Sequence, residues 1–138
     1  MPVSFRILAE HGLVYVRFSG AVRIADAAEN FATFLADPDY RKGLKQLIDF
    51  THVTEWDQDF NTLMKFNARQ TDIYDDTRNA LMMVCLAPDA FTQSLANFAR
   101  RGWESSSRVV TCTAETEEEA LALLGIDAPS LSILLQSV

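Results

Sequence analysis

From Gly12 onward, strand-like apolar runs alternate with helix-like stripes along almost all of this 138-residue chain. Such alternation constrains a fold strongly, because a period of two or of 3.6 dictates which face of each segment is buried. No catalytic motif interrupts it. The rhythm specifies an α/β fold and leaves function to particular side chains.

Val3, Phe5, Ile7 and Ala9 alternate with Ser4, Arg6 and Leu8, and the pattern resumes with Val14, Val16 and Phe18 after Glu10-His11-Gly12. Gly12 can take positive φ, so the two runs predict an antiparallel hairpin with one apolar and one wet face. From Ile24 the period becomes helical, with Ala27, Ala28, Phe31, Phe34 and Leu35 on one stripe that Asp37-Pro38 ends. A strand is expected from Lys45 to Phe50. Thr54 then reads as the cap of a second helix, with Asp57 completing a capping box. Trp56, Phe60, Leu63, Met64, Asn67, Ala68 and Thr71 form its inner stripe.

Ala80 to Ala87 is continuously apolar, as a strand covered on both faces requires. Asp89 caps a helix carrying Phe91, Leu95, Phe98 and Ala99, with Arg100 and Arg101 at its negative end and Gly102 closing it. Arg108 to Cys112 makes a fifth strand. Thr116 and Glu119 box the start of a helix that stops at Gly125, and Asp127-Ala128-Pro129 opens a last short helix bearing Leu131, Leu134 and Leu135. The expected order is β-β-α-β-α-β-α-β-α-α in a single domain over residues 1–138. Right-handed crossovers make strands two to five parallel neighbours and leave the first antiparallel at an edge. The fold class is therefore α/β, with a mixed, mainly parallel five-stranded sheet.

Twelve basic against nineteen acidic side chains give a formal charge of −7, which repels nucleic-acid phosphates and anionic membranes. No apolar run approaches the length of a membrane span. The first residues lack a secretion-signal pattern, so a cytoplasmic location is expected. Cys85 and Cys112 fall inside expected strands without Cys-x-x-Cys spacing, which argues for small buried hydrophobes rather than zinc or redox chemistry. No cofactor and no metal are expected.

Several stretches, in this order and spacing, resemble a known family: Val14-Tyr-Val-Arg-Phe-Ser-Gly20, Ala36-Asp-Pro-Asp-Tyr-Arg-Lys-Gly43, Leu47-Ile-Asp-Phe-Thr51 and Thr116-Glu-Glu-Glu-Ala-Leu121. They are similar to the STAS domain of bacterial anti-sigma-factor antagonists, and more closely to a bacterial STAS-like branch. The resemblance implies a cytoplasmic regulatory module. In regulatory members a phosphorylatable serine or threonine opens the second helix, within an Asp-Ser-Ser-Gly-like segment. Here that segment reads Thr54-Glu-Trp-Asp-Gln-Asp59, without serine or glycine, so the usual phospho-switch is not expected. Asp57 or Asp59 would supply a fixed negative charge instead, unless they serve only as helix caps.

Partner binding without catalysis is the leading expectation, either self-association as a homodimer or docking of another protein. Phe66 and Ile73 lie more than about 100° from the Phe60 stripe of the second helix, and Tyr74 follows; with Leu131 and Leu135 they form the candidate partner surface. The loop residues Asp49, Thr51, His52, Thr54 and Asp57 form a candidate ligand or switch site at the carboxyl end of a parallel strand. A first alternative is a carrier of a small apolar ligand or lipid. The family architecture resembles lipid-transfer domains of the CRAL-TRIO type, and nine phenylalanines with four methionines could line a cavity. A second alternative is an enzyme in which His52 acts as a base oriented by Asp49.

Overall fold

Gly12, at φ 60°, reverses the chain between two strands that pair antiparallel from Val3↔Phe18 to Leu8↔Leu13. The computed structural model describes residues 2–74, 81–101 and 109–136. Its elements are β1 (Val3–Leu8), a 3-10 turn (Ala9–His11), β2 (Leu13–Val22), α1 (Ile24–Leu35), β3 (Lys45–Trp56), α2 (Phe60–Tyr74), β4 (Leu81–Leu86), α3 (Ala90–Arg101), β5 (Val109–Ala114), α4 (Glu117–Leu124) and α5 (Leu131–Gln136). The five strands lie side by side in chain order, β1-β2-β3-β4-β5. Strands β2 to β5 run parallel, and β1 is the antiparallel edge.

Each parallel crossover advances one strand in the same direction, so crossovers of one hand put their helices on the same face. Phe31 and Phe34 of α1 and Leu95 and Ala96 of α3 share a core with Val14, Ile48, Phe50, Met83 and Cys85, and Phe66 of α2 packs against it. The opposite face carries a second core. There Leu8, Leu13, Tyr15, Leu47, Val84 and Leu86 meet Leu121 and Leu124 of α4 and Leu131 and Leu134 of α5. Coverage on both faces explains the unbroken apolar run of β4. It also corrects the expected wet face of the hairpin, since Leu8, Leu13 and Tyr15 are buried beneath the C-terminal helices.

Local signals set several boundaries. Asp89 accepts the backbone N–H of Thr92 at 2.8 Å, and Thr116 accepts that of Glu119 at 3.1 Å, so both act as helix caps. Gly125 closes α4 at φ 70°. The Leu124 carbonyl beside it accepts Lys45 Nζ at 2.8 Å, which ties the end of α4 to the start of β3. Gly102 and the start of the fifth strand at Arg108 lie outside the described residues.

The second helix departs from expectation. Strand β3 does not stop at Phe50 but continues to Trp56, paired with β2 as far as Val22↔Trp56. Thr54 is an exposed strand residue, not a cap. Pairing with β2 engages His52, Val53, Glu55 and Trp56, although two register shifts interrupt it, and this gives the segment more backbone partners than a four-residue capping box can. Asp59 caps instead: it accepts the Thr62 backbone N–H at 3.1 Å and the Thr62 hydroxyl at 2.6 Å. The buried stripe becomes Leu63, Asn67 and Gln70, with Phe66 half-buried beside it, while Phe60 and Met64 are 41% and 38% exposed.

Candidate functional site

Two register shifts in the β2–β3 pairing, at Arg17/Ser19 and Gly20/Ala21, give β3 extra residues against its partner. Bulges of this kind bend a strand and re-aim its side chains. Phe50 and Val53, three apart, both enter the first core, while Thr51 and His52 between them are exposed. Trp56, at the end of the extension, packs on Phe98 of α3 with ring centroids 4.7 Å apart. Phe60, at the start of α2, meets the edge of the same Phe98 ring. On the other side Phe66 of α2 stands edge-on to Phe31 of α1 at 5.8 Å. Aromatic pairs of this geometry contribute about 0.5–1.5 kcal/mol each beyond burial. These rigid contacts brace the helices around the rim instead of filling the centre.

The result is a cavity of about 140 Å³ between the sheet and the helices α1 to α3. Val14, Val16, Ile48, Phe50, Met83 and Cys85 form its floor, with Phe31, Leu63, Phe66, Leu95 and Phe98 as its walls. Close-packed interiors hold few voids larger than a water molecule. The space is concave and partly open to solvent rather than sealed.

Polar groups interrupt the apolar lining at a few points. Gln46 of β3 and Asn67 and Gln70 of α2 are buried and line the cavity, as does Asp57 just past β3. Asp57 Oδ2 accepts the Ile24 backbone N–H at 3.3 Å, which anchors the first turn of α1. Its other oxygen, Oδ1, is buried and accepts no hydrogen bond among the described residues. Arg23 also contributes to the lining, but its guanidinium is directed to Asp26 at 3.3 Å and its side chain is 73% exposed. The Arg23 backbone N–H, aided by that guanidinium, holds the Asp26 carboxyl below its usual range.

Of the loop residues expected at the carboxyl end of the third strand, Asp57 alone lines the cavity. Asp49 lies on the other side of the sheet, buried, where Oδ2 accepts the Tyr15 hydroxyl at 2.5 Å and Oδ1 accepts the Thr51 backbone N–H at 2.9 Å. Burial, reinforced by that carboxylate, raises the Tyr15 pKa and keeps the phenol protonated. Thr51, His52 and Thr54 are exposed, and Ser19 of β2 is the strand partner of His52.

The candidate partner surface is likewise rearranged. Phe66 faces inward as a cavity wall, because α2 starts later and is turned relative to the expected stripe. The side chains of Ile73 and Tyr74, on the last turn of α2, lie outside the described residues. Leu131 is buried in the second core and Leu135 packs against it, so the terminal leucines cover the sheet instead of facing solvent. Ile133, between them, is 50% exposed. Cys85 is a cavity residue, and burial first, then the neighbouring Cys112, pushes its thiol pKa up to about 12. Gln46 and Gln70 were not legible as site residues. The signal for them is a pair of amides placed in otherwise apolar stripes.

No protein-family model matches the sequence, and no curated protein matches it. Among the described residues no helix is long and apolar enough to cross a membrane, and no group of three or more His, Cys, Asp or Glu side chains could hold a metal ion.

Proposed function

We propose that this chain is a non-enzymatic binding module of STAS-like type whose ligand is a small apolar molecule held between the sheet and helices α1 to α3. The cavity carries this reading: it is concave, almost wholly apolar, and interrupted by a few polar side chains, the usual composition of a ligand site. The STAS-like part rests on the sequence motifs together with the element order and the parallel run β2 to β5.

Size sets the ligand class. An engineered apolar cavity of about 150 Å³ stays dry and admits benzene. The space here, about 140 Å³, therefore suits a single ring or a short branched chain, not a long acyl chain. Docking of a protein partner has less support, because Phe66, Leu131 and Leu135 are all used in internal packing.

The test is a titration of methyl-labelled protein with toluene, followed by NMR. Saturable shifts at Leu63, Met83 and Leu95, all cavity residues, are the expected outcome. Shifts absent there, or confined to exposed methyls such as those of Ile133, would reject the reading.

A further inference from the structure

The two edges of the sheet differ in how they discourage further pairing. At one edge β1 follows Pro2 and carries the exposed Arg6 in mid-strand, two features that blunt a free strand. At the other edge β5, six residues from Val109 to Ala114, holds no charged residue, proline or glycine and is mostly β-branched. Its pairing with β4 runs without a register shift from Leu81↔Val109 to Leu86↔Ala114, so no bulge turns it aside. Among the described residues no strand lies beyond it. Val110 is 45% exposed and Thr111, Cys112 and Thr113 are half-buried, while β4 beside it is buried at all but Met82. A regular, uncharged outer strand presents backbone N–H and C=O groups that another strand can pair with.

Charge decides which strand fits. Each copy of the chain carries a formal charge of −7, so two copies repel except where the contact surface is uncharged or complementary. β5 is uncharged, and its two ends have surroundings of opposite sign. Glu115, Glu117, Glu118 and Glu119, all exposed, follow its last residue. The chain returns from β4 along α3, which places the exposed Arg100 and Arg101 of the last turn toward the strand's first residues. Arg100 shares a small cleft with Thr111, Cys112 and Thr113. A second β5 laid antiparallel sets each acidic end beside its partner's arginines, whereas a parallel neighbour sets acid against acid. A two-fold axis normal to the sheet generates that antiparallel arrangement from identical strands.

We infer that β5 is the contact between two copies of this chain, paired antiparallel across a two-fold axis so that two five-stranded sheets become one. No residue of β5 lines the cavity, so self-pairing and ligand binding are separate properties. One strand and two helix ends make a small contact beside the about 1,600 Å² of a standard interface, so a concentration-dependent dimer is expected.

Sedimentation equilibrium of the full chain, from micromolar to millimolar concentration, tests the contact. The mass is expected to rise from one chain to two and no higher, because pairing uses up the free edge. Val110→Lys places a charge at an exposed edge position and should weaken association roughly tenfold or more, with an unchanged circular-dichroism spectrum. Arg100→Glu and Glu115→Lys should each weaken it about tenfold, since symmetry reverses the contact twice. An equimolar mixture of those two variants should restore it. A wild-type chain that stays monomeric throughout overturns the inference and leaves the edge to a strand of another protein. A dimer that Val110→Lys leaves intact, or charge variants whose mixture does not re-form it, overturns it as well.

Discussion

Tyr15 and Asp49 show how much one buried pair can decide. The phenol bridges β2 to β3 on the face covered by α4 and α5, and the Asp49 carboxylate accepts from it and from Thr51 N–H. Oδ2 thus ties β2 to β3, while Oδ1 holds the local backbone of β3 at Thr51. Removing the hydroxyl leaves the Asp49 acceptor buried and short of a donor, which costs about 1–3 kcal/mol. Tyr15→Phe is therefore expected to lose stability in that range in urea denaturation, although it deletes one atom from a surface that stays apolar. A midpoint equal to that of wild type would mean that Asp49 does not depend on the bridge.

Among the elements, α2 and α3 both begin on an aspartate that accepts from a threonine three residues on. For Asp59 the Thr62 hydroxyl leads and the Thr62 backbone N–H follows; for Asp89 the Thr92 backbone N–H leads and its hydroxyl follows. In each case the carboxyl is held below its usual range. A depressed pKa adds stability that is complete above the unfolded value, about 3.9, and lost as pH falls through the lower folded value. Both groups are solvent-exposed, so screening keeps the contribution modest. Asp89→Asn keeps a capping side chain but cannot titrate. Its thermal midpoint should fall less between pH 6 and pH 3 than that of wild type, and equal falls would show that the cap charge does not matter. The late start of α2 at Phe60 is itself an element-scale outcome, since the β2–β3 ladder claims the residues up to Trp56.

At the scale of the whole molecule, the sheet separates two unlike interiors. The face under α4 and α5 is filled largely by leucines, five of which are almost fully inaccessible: Leu8, Leu13, Leu47, Leu124 and Leu134. The face under α1 to α3 is braced by aromatics and left hollow. One side is thus closely packed and the other keeps an open space. Ala99 of α3 lines the hollow and is half-buried, so Ala99→Leu adds volume where space exists. Filling the cavity should hold or raise the thermal midpoint while abolishing toluene binding. Retained binding in a stable Ala99→Leu protein would place the bound molecule elsewhere.

Much of this was legible in the sequence because it depends on near neighbours. Period-two and period-3.6 patterns, caps at Asp89 and Thr116, the turn at Gly12 and the stop at Gly125 act over a few residues. The parallel run β2 to β5 then follows from crossover chirality. What only the tertiary structure decided is the continuation of β3 to Trp56, the rotation of α2 that turns Phe66 inward, and the hollow beside Asp57. Each depends on segments far apart in the chain: β2 lending its edge to β3, Phe31 meeting Phe66, and Trp56 meeting Phe98. A capping signal four residues long cannot outweigh a strand partner arriving from thirty residues away, and empty space has no sequence pattern of its own.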